Sequence, residues 1–138
     1  MARMLGRTKD HREQTLRNAG CSLVLAGSIR TTVPKAKEVR SLVERWLTHG
    51  KQVAAAEGSA RLAGYRRLLA AVGDVKTAKL LMGELATRTK DRQSGYLRLL
   101  RTGHRRGDAA PVALLTFVDQ PAPVAKQSVG SKTTKKES

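Results

Sequence analysis

Between Gly27 and Lys51 the hydrophobic and polar positions change period. Ser28-Ile-Arg-Thr-Thr32 reads as a short extended segment. After it, apolar residues fall at Ala36, Val39, Val43, Trp46 and Leu47, the three-and-four spacing of one helical face. Thr32 stands where an N-cap belongs, since its hydroxyl can accept a hydrogen bond from a first-turn amide. Pro34 falls in that first turn, where a missing N–H costs little. Gly50 predicts the stop. Lys35, Lys37, Arg40 and Arg45 fall on or beside the polar face. Such a helix buries one side and offers cations on the other.

The same division repeats along the chain. Thr8 predicts the cap of a first helix running to about Ala26, with Leu16, Ala19, Leu23 and Ala26 on its apolar face. Gly20 lies near that face and permits close packing, at a cost in helix propensity. Gln52 to Ser59 reads as a connection. Ser59 predicts the cap of a third helix, with Leu62, Tyr65, Leu69 and Val72 inward and Arg61, Arg66 and Arg67 outward. Gly73 ends it and Asp74 caps the next, which directs Val75, Ala78, Met82 and Leu85 inward, with Gly83 as an interruption. Tyr96 to Arg101 alternates as a strand, Leu97 and Leu99 on one face, Tyr96 and Arg98 on the other. Thr102 to Pro111 reads as a Gly-containing loop, and Val112 to Val118 as the partner strand. The Pro-, Ser-, Thr- and Lys-rich remainder, residues 119–138, buries too little apolar area to fold alone and is expected to be disordered.

Charge changes the picture most. Lys plus Arg number 27 against 11 acids, a net charge of +16. Residues 119–138 carry four Lys and two acids, a net of +2, and 16 less 2 leaves +14 on the body. A compact body with that self-repulsion calls for a polyanionic partner, and nucleic acid is the first candidate. An anionic membrane is the second, but no basic helix here carries the large apolar face that mode needs. No apolar run reaches a transmembrane length, and Met1 to Arg7 lacks the apolar core of a secretory signal. With 138 residues the chain suits one domain, and with 3% aromatics its core must be mostly Leu, Val and Ala. The same scarcity argues against a reader of single strands built on stacking platforms.

The reactive groups form no constellation. His11 beside Arg12 is a phosphate-facing or capping histidine before it is a catalyst or ligand, because His49 and His104 show no ligand spacing with it. Cys21 sits among Ala19, Gly20, Leu23 and Val24 and reads as a small packing residue rather than a nucleophile. A single cysteine builds no disulfide and fits a reducing compartment. Tyr96 beside Arg98 is open between stacking on a base and a place in the core. Gly103-His-Arg-Arg-Gly107 lacks the Gly-Lys-Ser/Thr ending of a Walker loop and reads as a basic loop that moulds to a backbone. An RNA-modifying enzyme would need a cofactor loop or an acid–base cluster, and neither is found. A free DNA-binding, nucleoid-type protein accounts for the charge as well as an RNA-binding one does.

Four passages together resemble a known family: Leu5-Gly-Arg-Thr8 with His11-Arg12; Leu16-Arg-Asn18; Ile29-Arg-Thr-Thr32 with Lys35-Ala-Lys-Glu38 and Arg40; and Gly95-Tyr96 with Arg98, followed by Arg106-Gly-Asp-Ala-Ala-Pro111. In order and separation they are similar to bacterial large-subunit ribosomal protein seventeen. The chain departs from the family pattern in its short Met-Ala-Arg-Met start, in Ser94 where a second glycine is usual, and in Thr116-Phe117 for an acidic-aliphatic pair. The resemblance implies an α+β fold, about four helices packed on a small mixed β-sheet with a basic N-terminal arm. It divides the chain into an rRNA-binding domain, residues 1–118, and the tail. It implies a structural, non-enzymatic, cytoplasmic protein of the large subunit near the nascent-chain tunnel exit, beside other ribosomal proteins. No cofactor, metal, membrane or small-molecule substrate comes with it. The expected rRNA contacts are Arg3, Arg7, Arg12, Arg17, Arg30, Lys35, Lys37, Arg40, Arg92, Arg98, Arg101, Arg105 and Arg106 for the phosphates. His11, Asn18, Thr31 and Tyr96 are expected to make local polar contacts or to stack. Asp108 is expected to fix its loop by accepting backbone amides.

Overall fold

A computed structural model of the chain describes residues 4–119. Arg3, and all of the tail beyond Asp119, lie outside the described residues. The elements follow in the order α1 (Lys9–Ala26), β1 (Ser28–Thr32), α2 (Val33–Ala55), α3 (Gly58–Val72), α4 (Val75–Met82), α5 (Glu84–Arg88), β2 (Leu97–His104) and β3 (Pro111–Phe117). The strands pair in the order β1-β3-β2, so the last strand lies in the middle. The class is α+β as expected, but both pairings are antiparallel where a mixed sheet was implied. For β2 and β3 the short hairpin between them dictates this, since a parallel pair needs a crossover.

α2 is the axis of the fold. Ala36, Val39, Val43 and Leu47 are fully buried and Trp46 nearly so, as the spacing predicts. Val39, Val43, Trp46 and Leu47 meet Leu23 of α1, Leu68 and Val72 of α3, Leu81 of α4, and Leu97, Leu115 and Phe117 of the sheet in one core, while Ala36 packs with Val33 and Ala113 in a smaller cluster. Each buried Val or Leu among them contributes about 1.5–3 kcal/mol of burial. Pro34 occupies the first turn, but neither Thr32 nor Thr8 makes a side-chain cap bond.

Gly50 is not the stop. α2 runs through it to Ala55, and the expected connection shrinks to Ala56 and Glu57. A Cβ on Gly50 would lie 2.8 Å from the Leu81 carbonyl oxygen, so this glycine exists to let α4 approach. Gly20 does the same in α1, as expected: a Cβ there would stand 2.7 Å from the Trp46 ring.

α3 starts at Gly58 rather than after Ser59 and touches only its helical neighbours, so its buried stripe is narrow. Leu68 and Val72 fill it, while Leu62 stays 51% exposed and Tyr65 and Leu69 are partly buried. Gly73 ends α3 at φ 80°, where a side chain would be strained. Asp74 caps α4 as expected, accepting from the Thr77 amide at 2.8 Å and its hydroxyl at 2.6 Å. That bond turns Thr77 inward and rotates the stripe: Thr77, Ala78 and Leu81 are buried, Val75 is 47% exposed and Met82 is only partly covered. Gly83 breaks the helix, and α5 buries Leu85 and Ala86.

β2 continues past Arg101 into the stretch expected to be loop. Arg101 pairs with Ala113 and Gly103 with Val112, which leaves Thr102 as the extra residue of a bulge. Only residues 105–110 remain as the hairpin loop.

Candidate nucleic-acid interface

Val112 is in register with Thr32 on one side and with Gly103 on the other. Two strand spacings, about 10 Å, therefore separate β1 from the end of β2. At this end of the sheet the chain forms an open groove of about 540 Å³. β1 and the first turn of α2 supply Arg30, Thr31, Thr32 and Lys35; the hairpin supplies His104, Arg105 and Arg106; Val112 completes the lining. No carboxylate is among these residues. Arg offers a planar fork that fits phosphate oxygens in pairs, and Lys a mobile point charge.

The hairpin is fixed from within. Arg105 Nε and Nη2 donate to the two Asp108 oxygens at 3.0 and 2.6 Å, and the Ala110 amide donates to Asp108 Oδ1 at 3.3 Å. Asp108 thus holds the loop partly through a backbone amide, as expected. The Arg105 guanidinium draws the Asp108 carboxyl down to about 2, and the carboxylate in turn raises Arg105. A depressed carboxyl stabilises the folded hairpin above its unfolded pKa, near 4, and loses that contribution as pH falls through about 2. NMR titration of the Asp108 carboxyl should therefore give a midpoint near 2, moving up toward the ordinary range in Arg105→Gln, with the Ala110 amide still holding it somewhat low.

The remaining expected contacts are dispersed. Arg7 donates to Thr15 Oγ1 at 2.8 Å and also meets His11 Nε2, which folds the N-terminal segment back on α1. Arg12 and Arg17 line a separate cleft between α1 and α2 in which Glu13 and Glu38 also stand. Asn18 accepts from Gln14 at 3.0 Å on the exposed side of α1. Lys37 is exposed, and Arg40 pairs with Glu44 at 3.1 Å. Arg92 pairs with Asp119 at 3.3 Å. Arg98 and Arg101 are exposed on β2. By register Arg98 shares the outer face of the sheet with Arg30, and Arg101 lies on the other.

Tyr96 is a correction. Its ring is 2% exposed and belongs to the core, and its hydroxyl donates to the Gln93 carbonyl at 2.9 Å. It is no platform for a base. His104 and Thr32, by contrast, enter the groove although neither is among the expected contacts; in the sequence His104 belongs to the basic loop after Gly103, and Thr32 to the Ile29-Arg-Thr-Thr32 passage. Cys21 packs against the core and its Sγ lies 3.7 Å from the Val72 carbonyl. Burial pushes its thiol up, away from the thiolate a nucleophile needs. Among the described residues no cluster of His, Cys, Asp or Glu suits a metal ion. Nor is any helix among them long and apolar enough to cross a membrane.

The model of one family, ribosomal protein L17, matches residues 15–118. The chain belongs to the ribosomal protein L17 family. Relatives named large ribosomal subunit protein bL17 agree. One from Rickettsia canadensis is 40% identical over 118 residues, which is 86% of this chain and 82% of the relative. One from Ruegeria pomeroyi is 42% identical over 118 residues, 86% and 79% of the two chains. One from Campylobacter jejuni is 42% identical over 119 residues, 84% and 93%. Every groove residue falls inside the stretch matched to L17, whereas Arg7, His11 and Arg12 precede it.

Proposed function

We propose that this L17-family protein is a structural component of the large ribosomal subunit that binds rRNA through its phosphate backbone. The observation that carries the reading is the groove of Arg30, Lys35, His104, Arg105 and Arg106, whose lining includes no carboxylate; Asp108 engages Arg105, which leaves Arg30, Lys35 and Arg106 as the cations open to a phosphate. Its relatives bear a large-subunit name. Residues 1–118 act as the RNA-binding body. The groove seats one backbone segment, while the cations of α1 and of the sheet's outer face meet others, so that neighbouring rRNA segments are held in register. The protein is placed near the nascent-chain tunnel exit, against other ribosomal proteins, and catalyses nothing.

Co-sedimentation on a sucrose gradient tests this. The tagged protein should run with the large-subunit peak in stoichiometric amount and stay there through a high-salt wash. A protein missing from that peak, or stripped at modest salt and recovered with DNA, would replace the reading with a nucleoid-type one.

A further inference from the structure

Lys51 turns its ammonium inward. Its Nζ donates to the carbonyls of Thr89 at 2.9 Å, Lys90 at 3.3 Å and Arg92, and lies 3.4 Å from the Tyr96 hydroxyl. It also stands 5.3 Å from the centre of the Tyr96 ring, a cation–π distance. An ammonium has three donors, and three carbonyls engage them here. Nothing is left for a phosphate.

What Lys51 holds is the turn from Thr89, the C-cap of α5, to Tyr96. Three carbonyls converging on one point repel one another unless a cation sits between them. α2 supplies that cation on a tether, at the end of α5 where positive charge is favoured. Tyr96 closes the same turn from the other end through its bond to Gln93. With the carbonyls drawn inward, the side chains of Lys90 and Arg92 remain exposed; Arg92 lies 3.3 Å from Asp119, a solvent-exposed pair that a phosphate can exchange into. From Lys35 to Lys51 the helix rises about 24 Å. The turn therefore presents cations far from the groove, at the other end of α2. One contact leaves a bound backbone free to swivel, and a second at that distance fixes its direction.

We propose that Lys51 is a positioning residue for RNA binding: it touches no phosphate and instead holds the 89–96 turn in the shape that presents Lys90 and Arg92 to the RNA. This rests on the rRNA-binding reading above.

The test uses the full chain and deproteinised large-subunit rRNA, with affinity measured across a salt series and amide exchange followed in parallel. Lys51→Met should weaken binding about 10- to 30-fold near 0.15 M salt and make the log–log salt slope shallower by about two contacts' worth. Exchange should rise across residues 89–96 and stay unchanged elsewhere. Lys51→Arg should not rescue, because a planar fork cannot aim donors at carbonyls that converge on one point. The pair Lys90→Gln and Arg92→Gln should match Lys51→Met, and combining all three should add little. Full rescue by arginine would show a direct charge contact and overturn the proposal. So would unchanged affinity with the turn opened. Should Lys51→Met lose protection throughout, Tyr96→Phe takes its place: a smaller loss in the same direction is expected, and no loss overturns the proposal. Failure of the wild-type protein to bind this RNA at any salt would instead remove the underlying reading, and that outcome needs no variant to see.

Discussion

Replacing Arg30, Lys35 and Arg106 together by glutamine should lower affinity for large-subunit rRNA about 100-fold near 0.15 M salt. Each neutralised phosphate releases counterion, worth roughly four- to sixfold at that salt, and three such contacts multiply. The log–log salt slope should become shallower by about three contacts' worth in the same series. Among the described residues, none of the three cations lies within salt-bridge distance of a carboxylate. Their loss should therefore leave stability within about 0.5 kcal/mol, which thermal melting checks. Arg61→Gln is the control, since Arg61 is exposed on α3, outside the groove and not among the expected rRNA contacts. An unchanged salt slope in the triple variant would move the RNA contact elsewhere.

Gly50→Ala should destabilise the fold by about 2 kcal/mol, although alanine is the better helix former by about 1 kcal/mol. The new Cβ would meet backbone, the Leu81 oxygen at 2.8 Å and its carbonyl carbon at 3.2 Å. Backbone inside a helix cannot swing aside as a side chain does, so α4 must back away from α2 and open the core around Leu47 and Leu81. Urea unfolding should show a lower midpoint with an unchanged slope. Gly64→Ala offers the contrast: its Cβ would meet only the Val53 side chain, a methyl at 2.7 Å being the nearest atom, and no backbone, and should cost less. Equal stabilities for wild type and Gly50→Ala would mean that the two helices do not pack as closely as described.

These two sites differ in how far the sequence betrays them. The stripe of α2 is plain in the order of its residues, as are the cap at Asp74 and the C-terminal glycine at position 73. Gly50 misleads because a glycine in helical register looks the same whether it ends a helix or admits a neighbour. The stripe of α4 is displaced for a similar reason: Thr77 reads as polar and outward until Asp74 is seen to bond it. Net charge announces a polyanion but is a sum and has no location. The groove depends on β1 pairing with β3 across most of the chain, which no local pattern records. Tyr96 and Lys51 show the same limit from the other side. An aromatic among arginines suggests stacking and a lysine on a basic helix suggests solvent, yet each completes the other's surroundings.

The central place of β3 has a consequence for the order of events during synthesis. Chains emerge from their N-terminus, and β3 is the last element of the described fold to emerge. β1 and β2 pair only with β3 and not with each other. Until Phe117 has emerged, the helices can gather around α2, but Arg30 and Arg106 belong to two unjoined segments. On the rRNA-binding reading proposed above, competence to grip a polyanion is thus withheld until β3 has emerged, so a copy interrupted before Phe117 lacks the groove that would commit it to RNA.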